Sequence, residues 1–344
     1  MIVRTIVRAS LARLVRAQPC QSWKAFSTTV PNRVIPSRMM SATTISVPHE
    51  ERTAAEPREH GMHKVILDRI EEINTNIRLL KLRMHNGDEQ LQASNLDNSH
   101  GWLDVFVPGI WRAGGFTITS TPSDLRRDNY LELAVQNSPR NPPAAWLWQP
   151  ASKILQSELM IRVGGSFFWP PLGIDLATIV RVVFIAGGVG INPLISILSH
   201  LRQNKEECPA RLEFLYSVRT DPSSKAPSIL FLDRLRSIFG RDFGPSRNFK
   251  LFVTKGGTYR SYDDEKRAAA LNPIKADTGY INEGNTKLGR FREKDLINAI
   301  GPVDGRKGVV AYVCGPPPLT DWAVEVLRGA EGMEKERVLC EKWW

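Results

Sequence analysis

The sequence predicts two consecutive domains, an antiparallel β barrel followed by a doubly wound α/β domain on a parallel sheet. Two observations predict it. Between residues 63 and 135, short apolar runs, some alternating apolar and polar side chains, are separated by turn residues. After Pro171 the rhythm changes to apolar strands alternating with helical patterns, the signature of a parallel sheet covered on both faces. The length, 344 residues, adds that one ordinary core is not enough.

Strands are expected over 64–67, 76–83, 102–107, 115–120 and 130–135. The second alternates apolar and basic residues in part, as a half-buried strand does, although a helix can also be drawn through 65–82. Residues 85–100 read as a polar loop. In the second half, strands are expected over 182–186, 212–216, 250–254 and 309–314. Helices are expected up to residue 200 and over 230–238 and 320–328, with a polar surface loop over 256–286. The resulting division is a leader over 1–49, a linker over 50–62, a barrel over 63–175 and an α/β domain over 180–344. There are no internal repeats.

The net charge of +10 is concentrated at the start. Of 46 basic side chains, seven (Arg4, Arg8, Arg13, Arg16, Lys24, Arg33, Arg38) lie in residues 1–49, which hold no acid. That leaves 39 basic against 36 acidic residues, too even for a nucleic-acid footprint on the body. The leader is rich in Arg, Ser and Thr, with an apolar stripe through Ile2, Val3, Ile6, Val7, Leu11, Leu14 and Val15. This composition reads as a mitochondrial transit peptide, with the matrix as destination. The most apolar run, 182–198, is broken by Gly187, Gly188, Gly190, Asn192 and Pro193, so no membrane-spanning helix is expected. Four cysteines (Cys20, Cys208, Cys314, Cys340) form no CxxC pair, which argues against a disulfide framework or a cysteine zinc site. No HExxH occurs, and His60 and His63 lie in a polar segment; no metal site is expected.

Two motifs carry the chemistry. Gly187-Gly188-Val189-Gly190-Ile191-Asn192-Pro193 follows an apolar strand and opens a helix. Glycines allow a tight turn and close approach to a pyrophosphate, and the helix start offers N–H groups and a positive dipole end. Cys314-Gly315-Pro316-Pro317-Pro318 ends a late strand. Ligands of open α/β sheets bind beyond the carboxyl ends of the strands, so both motifs face one crevice.

These segments resemble the GGxGxxP and CGPP motifs of the ferredoxin-NADP reductase-like family. The stretch 114–122 (GGFTITSTP) resembles that family's flavin-contacting RxYS strand, and 163–168 (VGGSFF) its glycine-Phe loop. Gly-Arg-Phe at 289–291 stands where the family often carries another short motif. The ending Glu341-Lys342-Trp343-Trp344 resembles that of one subgroup, the oxidoreductase NAD-binding domain-containing protein 1 group. The resemblance spans about residues 63–344 in consistent order. It implies a six-stranded Greek-key barrel holding FAD, and an α/β domain holding NAD or NADP. Hydride would pass from nicotinamide to flavin, and electrons onward to a small iron–sulfur or haem protein, or a quinone. Phe116 would pack on the flavin, Thr117 would hydrogen-bond its ring, and Ser120 belongs to the same contact strand. Gly187, Gly188, Val189, Gly190, Ile191 and Asn192 would take the nucleotide phosphates. Cys314, as the catalytic residue, would lie with Gly315 and Pro316 near the nicotinamide. Ser217 and Arg219 would contact the adenosine ribose, and Arg219 could favour a 2′-phosphate.

Two departures from the family pattern stand out. Gly114 replaces the arginine of RxYS, with Arg112, Arg126 or Arg127 as substitutes, and Ala144 replaces a later Ser or Thr. The alternative reading is therefore a non-enzymatic NAD(P)-binding scaffold or redox sensor with a degenerate flavin barrel. A flavin-free dehydrogenase would need an acid–base residue at the crevice, and no histidine flanks either glycine motif. Trp343 and Trp344, like Arg140, Trp146 and Trp148, fit either a cofactor-facing or a packing role.

Overall fold

A computed structural model describes residues 48–85, 101–220, 228–242, 247–255 and 286–342. The leader up to residue 47 with Cys20, the polar loop 86–100, the loop 256–285 and the pair Trp343–Trp344 lie outside the described residues.

The first half is a six-stranded antiparallel sheet of β1 (His63–Asn74), β2 (Ile77–Met84), β3 (Trp102–Phe106), β4 (Gly114–Thr117), β5 (Tyr130–Gln136) and β6 (Glu158–Gly164). Its order is β4-β3-β6-β1-β2-β5, and the Ile118–Leu133 bridge joins the two edges, closing the barrel. In β2, burial alternates residue by residue, which settles the strand reading of 65–82 against the helix. Leu80, Leu82 and Met84 point into the barrel core with Val65, Leu67, Leu103 and Val105. Arg78 shares that inward face at the barrel end. Its guanidinium donates to the Leu147 and Gln149 carbonyls (3.2 and 2.7 Å), pairs with Glu72 at 2.8 Å and stacks on Trp148. Trp148 is thereby a packing residue, as is Trp146 against the barrel core, while Arg140 is exposed.

Residues 48–62, expected as the end of the leader and the linker, are docked on the barrel. The short helix α1 (His49–Arg52) places His49, 5% exposed, edge-on to Trp102. Asp104, fully buried on β3, is met by His49 (3.1 Å), Arg58 (3.1 Å) and Arg162 (2.9 Å). A carboxylate in the interior needs such partners, and they draw the incoming chain onto the barrel wall. The Glu59 N–H donates to Val163 O at 2.9 Å and the Gly165 N–H to Pro57 O at 2.9 Å.

The second half is a six-stranded parallel sheet of β7 (Arg181–Gly187), β8 (Arg211–Thr220), β9 (Arg247–Lys255), β10 (Thr286–Leu288), β11 (Val309–Cys314) and β12 (Val338–Glu341). The order is β10-β9-β8-β7-β11-β12. From β7 the chain builds outward through β8, β9 and β10, then returns to β11 on the other side of β7. The switch point therefore lies between β7 and β11, and ligands of such sheets bind there. Every side chain of β7 and β11 is buried, as in a sheet covered on both faces.

Candidate nucleotide-binding site

At the switch point the chain leaves β7 through Gly187 and a single 3-10 turn, Gly188–Gly190, into helix α5 (Ile191–Gln203). Beside it, β11 leads through Gly315 and Pro316 into helix α8 (Pro317–Gly329). Neither helix has an acidic residue in its first turn or a capping side chain; the start of α5 is open to an anion, whereas α8 begins with Pro317 and Pro318, which have no N–H, and its Leu319 and Thr320 N–H groups donate to Pro316 O.

The three glycines of the turn have different reasons to be glycine. A Cβ on Gly187 would strike Leu319, stand 2.8 Å from the Pro316 ring and 3.4 Å from Gly315 Cα. One on Gly190 would strike the Cys314 carbonyl oxygen and stand 2.5 Å from the Gly315 nitrogen. These two let the motifs pack backbone to backbone as the floor of one crevice. Gly188 differs: its φ is +55°, and nothing lies within 4 Å of the Cβ position. Gly188 is where a phosphate can approach the main chain.

The sequence-predicted residues fall into two groups. Gly187, Gly188, Val189, Gly190, Ile191, Cys314, Gly315 and Pro316 come together here. Ser217 pairs with Gly187 across the ladder and is half-buried, and Arg219, two residues further on the same strand face, is exposed. Cys314 is 1% exposed and packed in the sheet core; its carbonyl rather than its thiol meets Gly190. Asn192, 6% exposed, turns its amide to the barrel, where Nδ2 donates to the Ala134 carbonyl at 2.9 Å. Gly289 donates its N–H to Val253 O, and Phe291 packs edge-on against Phe252 in the core, so the Gly-Arg-Phe motif supports β9.

Phe116, Thr117 and Ser120 belong to the barrel. Phe116 and Thr117 are buried, and Phe116 lies in the barrel core. Ser120 Oγ accepts from the Glu132 N–H at 3.0 Å. Gly114 has no room for a side chain: a Cβ would stand 2.5 and 2.9 Å from the Phe116 ring and 2.8 Å from Pro143 Cβ. Helix α3 (Pro142–Leu147) begins with two prolines, which have no N–H, and its Ala144 N–H is capped by Asn141 Oδ1 at 3.4 Å. Ala144 itself is buried. Of the substitute cations, Arg127 pairs with Asp128 at 2.8 Å and Arg126 lies 3.3 Å from Ser123 Oγ, both on helix α2 (Pro122–Asp128), while Arg112 is exposed.

The seam between the halves escaped the sequence reading. Along α5, Ser196 Oγ donates to Ser120 O at 2.6 Å, and Gln203 accepts from the Thr121 hydroxyl at 2.8 Å. From α6 (Leu232–Ser237), Arg234 grips Glu132 at 2.8 and 3.1 Å and the Thr119 carbonyl at 3.1 Å. Tyr312 of β11 donates to Phe168 O at 2.9 Å, and Phe167 packs against its ring, so the glycine-Phe loop leans on the α/β sheet. At the same seam burial, then the carboxylates of Asp124 and Glu132, push the Tyr130 phenol up to about 12, keeping it a neutral hydroxyl. No short sequence pattern announces these contacts; the 3.6-residue spacing of Asn192, Ser196 and Gln203 on one helix face is the available signal.

No family model matches the chain. Among solved structures it is similar to a cytochrome P450 reductase of Amycolatopsis (TM-score 0.57, 18% identity, covering 83% of this chain and 71% of that one). It is also similar to the ferredoxin-NADP+ reductase of Plasmodium falciparum (TM-score 0.53, 15% identity, 82% and 96%). An antiparallel barrel followed by a parallel sheet with its crevice at this switch point is the ferredoxin-NADP reductase-like fold. In sequence, the chain is 32% identical over 298 residues to oxidoreductase NAD-binding domain-containing protein 1 of Bos taurus, covering 86% of this chain and 85% of that protein. The chain belongs to the oxidoreductase NAD-binding domain-containing protein 1 family, a family of NAD-binding oxidoreductases.

Proposed function

We propose that this protein binds NADH or NADPH in the crevice between β7 and β11 and acts as an NAD(P)H-dependent reductase in the mitochondrial matrix. The carrying observation is Gly188, open and left-handed at the switch point, beside the acid-free start of α5. Its electron acceptor is a separate small iron–sulfur or haem protein, or a quinone. The acid-free, arginine-rich start supports the matrix assignment. An import assay tests it: full-length chain left outside mitochondria would sink that part.

The family resemblance adds FAD in the barrel as first hydride acceptor. By that resemblance Phe116 and Thr117 would face its ring. The phosphate side lacks its arginine, and the α3 start offers no donor from Pro142 or Pro143. This favours a second reading, a nucleotide-binding module whose barrel is scaffold or sensor. The deciding experiment is the visible spectrum of the purified full-length protein, titrated anaerobically with NADH and then NADPH. A flavin spectrum bleached by either establishes the flavin-dependent reductase and its preferred nucleotide. Tight nucleotide binding with no flavin after FAD reconstitution establishes the second reading. No nucleotide binding overturns both.

A further inference from the structure

We infer that the barrel is closed to a resident FAD by its own side chains, and that the chain handles its nicotinamide nucleotide without one. The inference rests on the nucleotide-binding reading above and deepens it.

The argument starts at residue 114. Gly114 and Phe116 share one face of β4, as alternate residues of a strand do. The Phe116 ring lies back over Gly114, with atoms 2.5 and 2.9 Å from where a Cβ would be, and Pro143 closes the other side at 2.8 Å. The missing arginine is therefore more than a lost charge. Its volume is occupied, so an arginine cannot be restored there while Phe116 and Pro143 keep their places.

The second wall is α3. A helix start holds a phosphate through its unpaired N–H groups. Here the first two helical residues, Pro142 and Pro143, have none, and the third, Ala144, gives its N–H to Asn141. Three cations are committed, while Arg112 and Arg140 are exposed. Arg78 serves Glu72 and two carbonyls, Arg234 serves Glu132 and Thr119, and Arg127 serves Asp124 and Asp128. A dinucleotide's pyrophosphate brought against this end would leave water without a β4 arginine or free helix N–H groups to offset its desolvation. The barrel instead spends its polar groups inward: Thr119 donates to Glu132 at 2.8 Å, and Ser120 takes the Glu132 N–H.

The test uses the full-length protein. FAD binding is read by equilibrium dialysis and flavin absorbance, NADH binding by calorimetry, and folding by circular dichroism. Wild type is expected to bind NADH and to purify without stoichiometric FAD. Gly114→Arg combined with Pro143→Gly supplies the cation and an N–H and removes the Pro143 wall so that the Phe116 ring can turn aside, and is expected to raise FAD affinity about tenfold or more with NADH affinity unchanged. If that variant does not fold, Pro143→Ser adds one donor alone and is expected to gain about threefold. Stoichiometric FAD in wild type overturns the inference, and its loss in Arg112→Ala would identify the cation responsible. A folded double variant that binds NADH yet gains no FAD affinity also overturns it, since the filled phosphate position would not be the cause. Failure of the underlying reading is distinct: wild type would then bind no NADH, whatever it does with FAD.

Discussion

At the scale of single residues, the glycine turn separates an open position from packed ones. Gly188 is open and left-handed; Gly187 and Gly190 are closed against the neighbouring loop. Gly188→Val should therefore cut NADH affinity more than about tenfold while the circular dichroism spectrum is kept, because the added group stands where the phosphate must come. Gly190→Ala should act first on stability, lowering it by about 1–3 kcal/mol in urea unfolding, because its Cβ meets main chain that cannot rotate away. Equal effects of the two on binding, with no difference in stability, would refute this division. Sequence alone makes the turn legible, since three glycines between a strand and a helix have few other uses. It does not show which glycine faces the ligand, because that depends on a loop more than a hundred residues later. Asn192 shows the same limit: it belongs to the motif, yet its amide serves the barrel.

Among the elements, two junctions hold the architecture, and both are built on buried carboxylates. Glu132 on β5 is clamped by Arg234 of α6. Arg234→Ala leaves that carboxylate buried and unpaired and should cost about 3 kcal/mol in urea unfolding. Asp104 anchors the segment before β1. Burial pushes its carboxyl up, but hydrogen bonds from His49, Arg162 and Arg58, with the Arg58 charge, more than compensate and hold it below its usual value of 3.8. A depressed folded value means that folding favours the ionised form. Its contribution is complete above the ordinary carboxylate value and fades as the pH falls below about 4, through the lower folded value. Asp104→Asn should flatten that acid branch of the stability profile and lower stability at neutral pH; an unchanged acid branch would rule out the junction. The sequence reading finds most of the long elements because their periodicity is strong, but it gives neither β6 nor the helix α7 (Glu293–Ile300). It misses β10 and β12, edge strands of three and four residues, because so few side chains carry no period. It gives no helix for α2, although Thr121 and Asp124 form a capping box there. The docking of 48–62 was hidden because it rests on Asp104, Arg58 and Arg162, charges that look solvated until the fold buries them.

Over the whole molecule, the two sheets share one apolar cluster. Ala134, Phe167 and Trp169 from the barrel side pack with Ile195, Leu198, Phe184 and Tyr312 of the α/β side. A seam that is part of the core couples the halves, so thermal unfolding should show one transition with barrel and crevice probes in register. Two separated transitions would mean that the halves melt independently. The overall class was legible because the change of rhythm near residue 171 is abrupt. The seam was not, because residues from 134 to 312 that fill it are ordinary core residues in both patterns.

That shared cluster bears on how such a chain changes over generations. Mutations that erode a cofactor cradle, such as a glycine or a proline arriving at the phosphate side, leave the apolar flank of the partner domain covered. A deletion of the barrel through Trp169 would uncover the Tyr312 ring on which Phe167 and Trp169 pack and expose the protein to aggregation. A barrel that covers this flank therefore has a structural role that does not depend on what it binds.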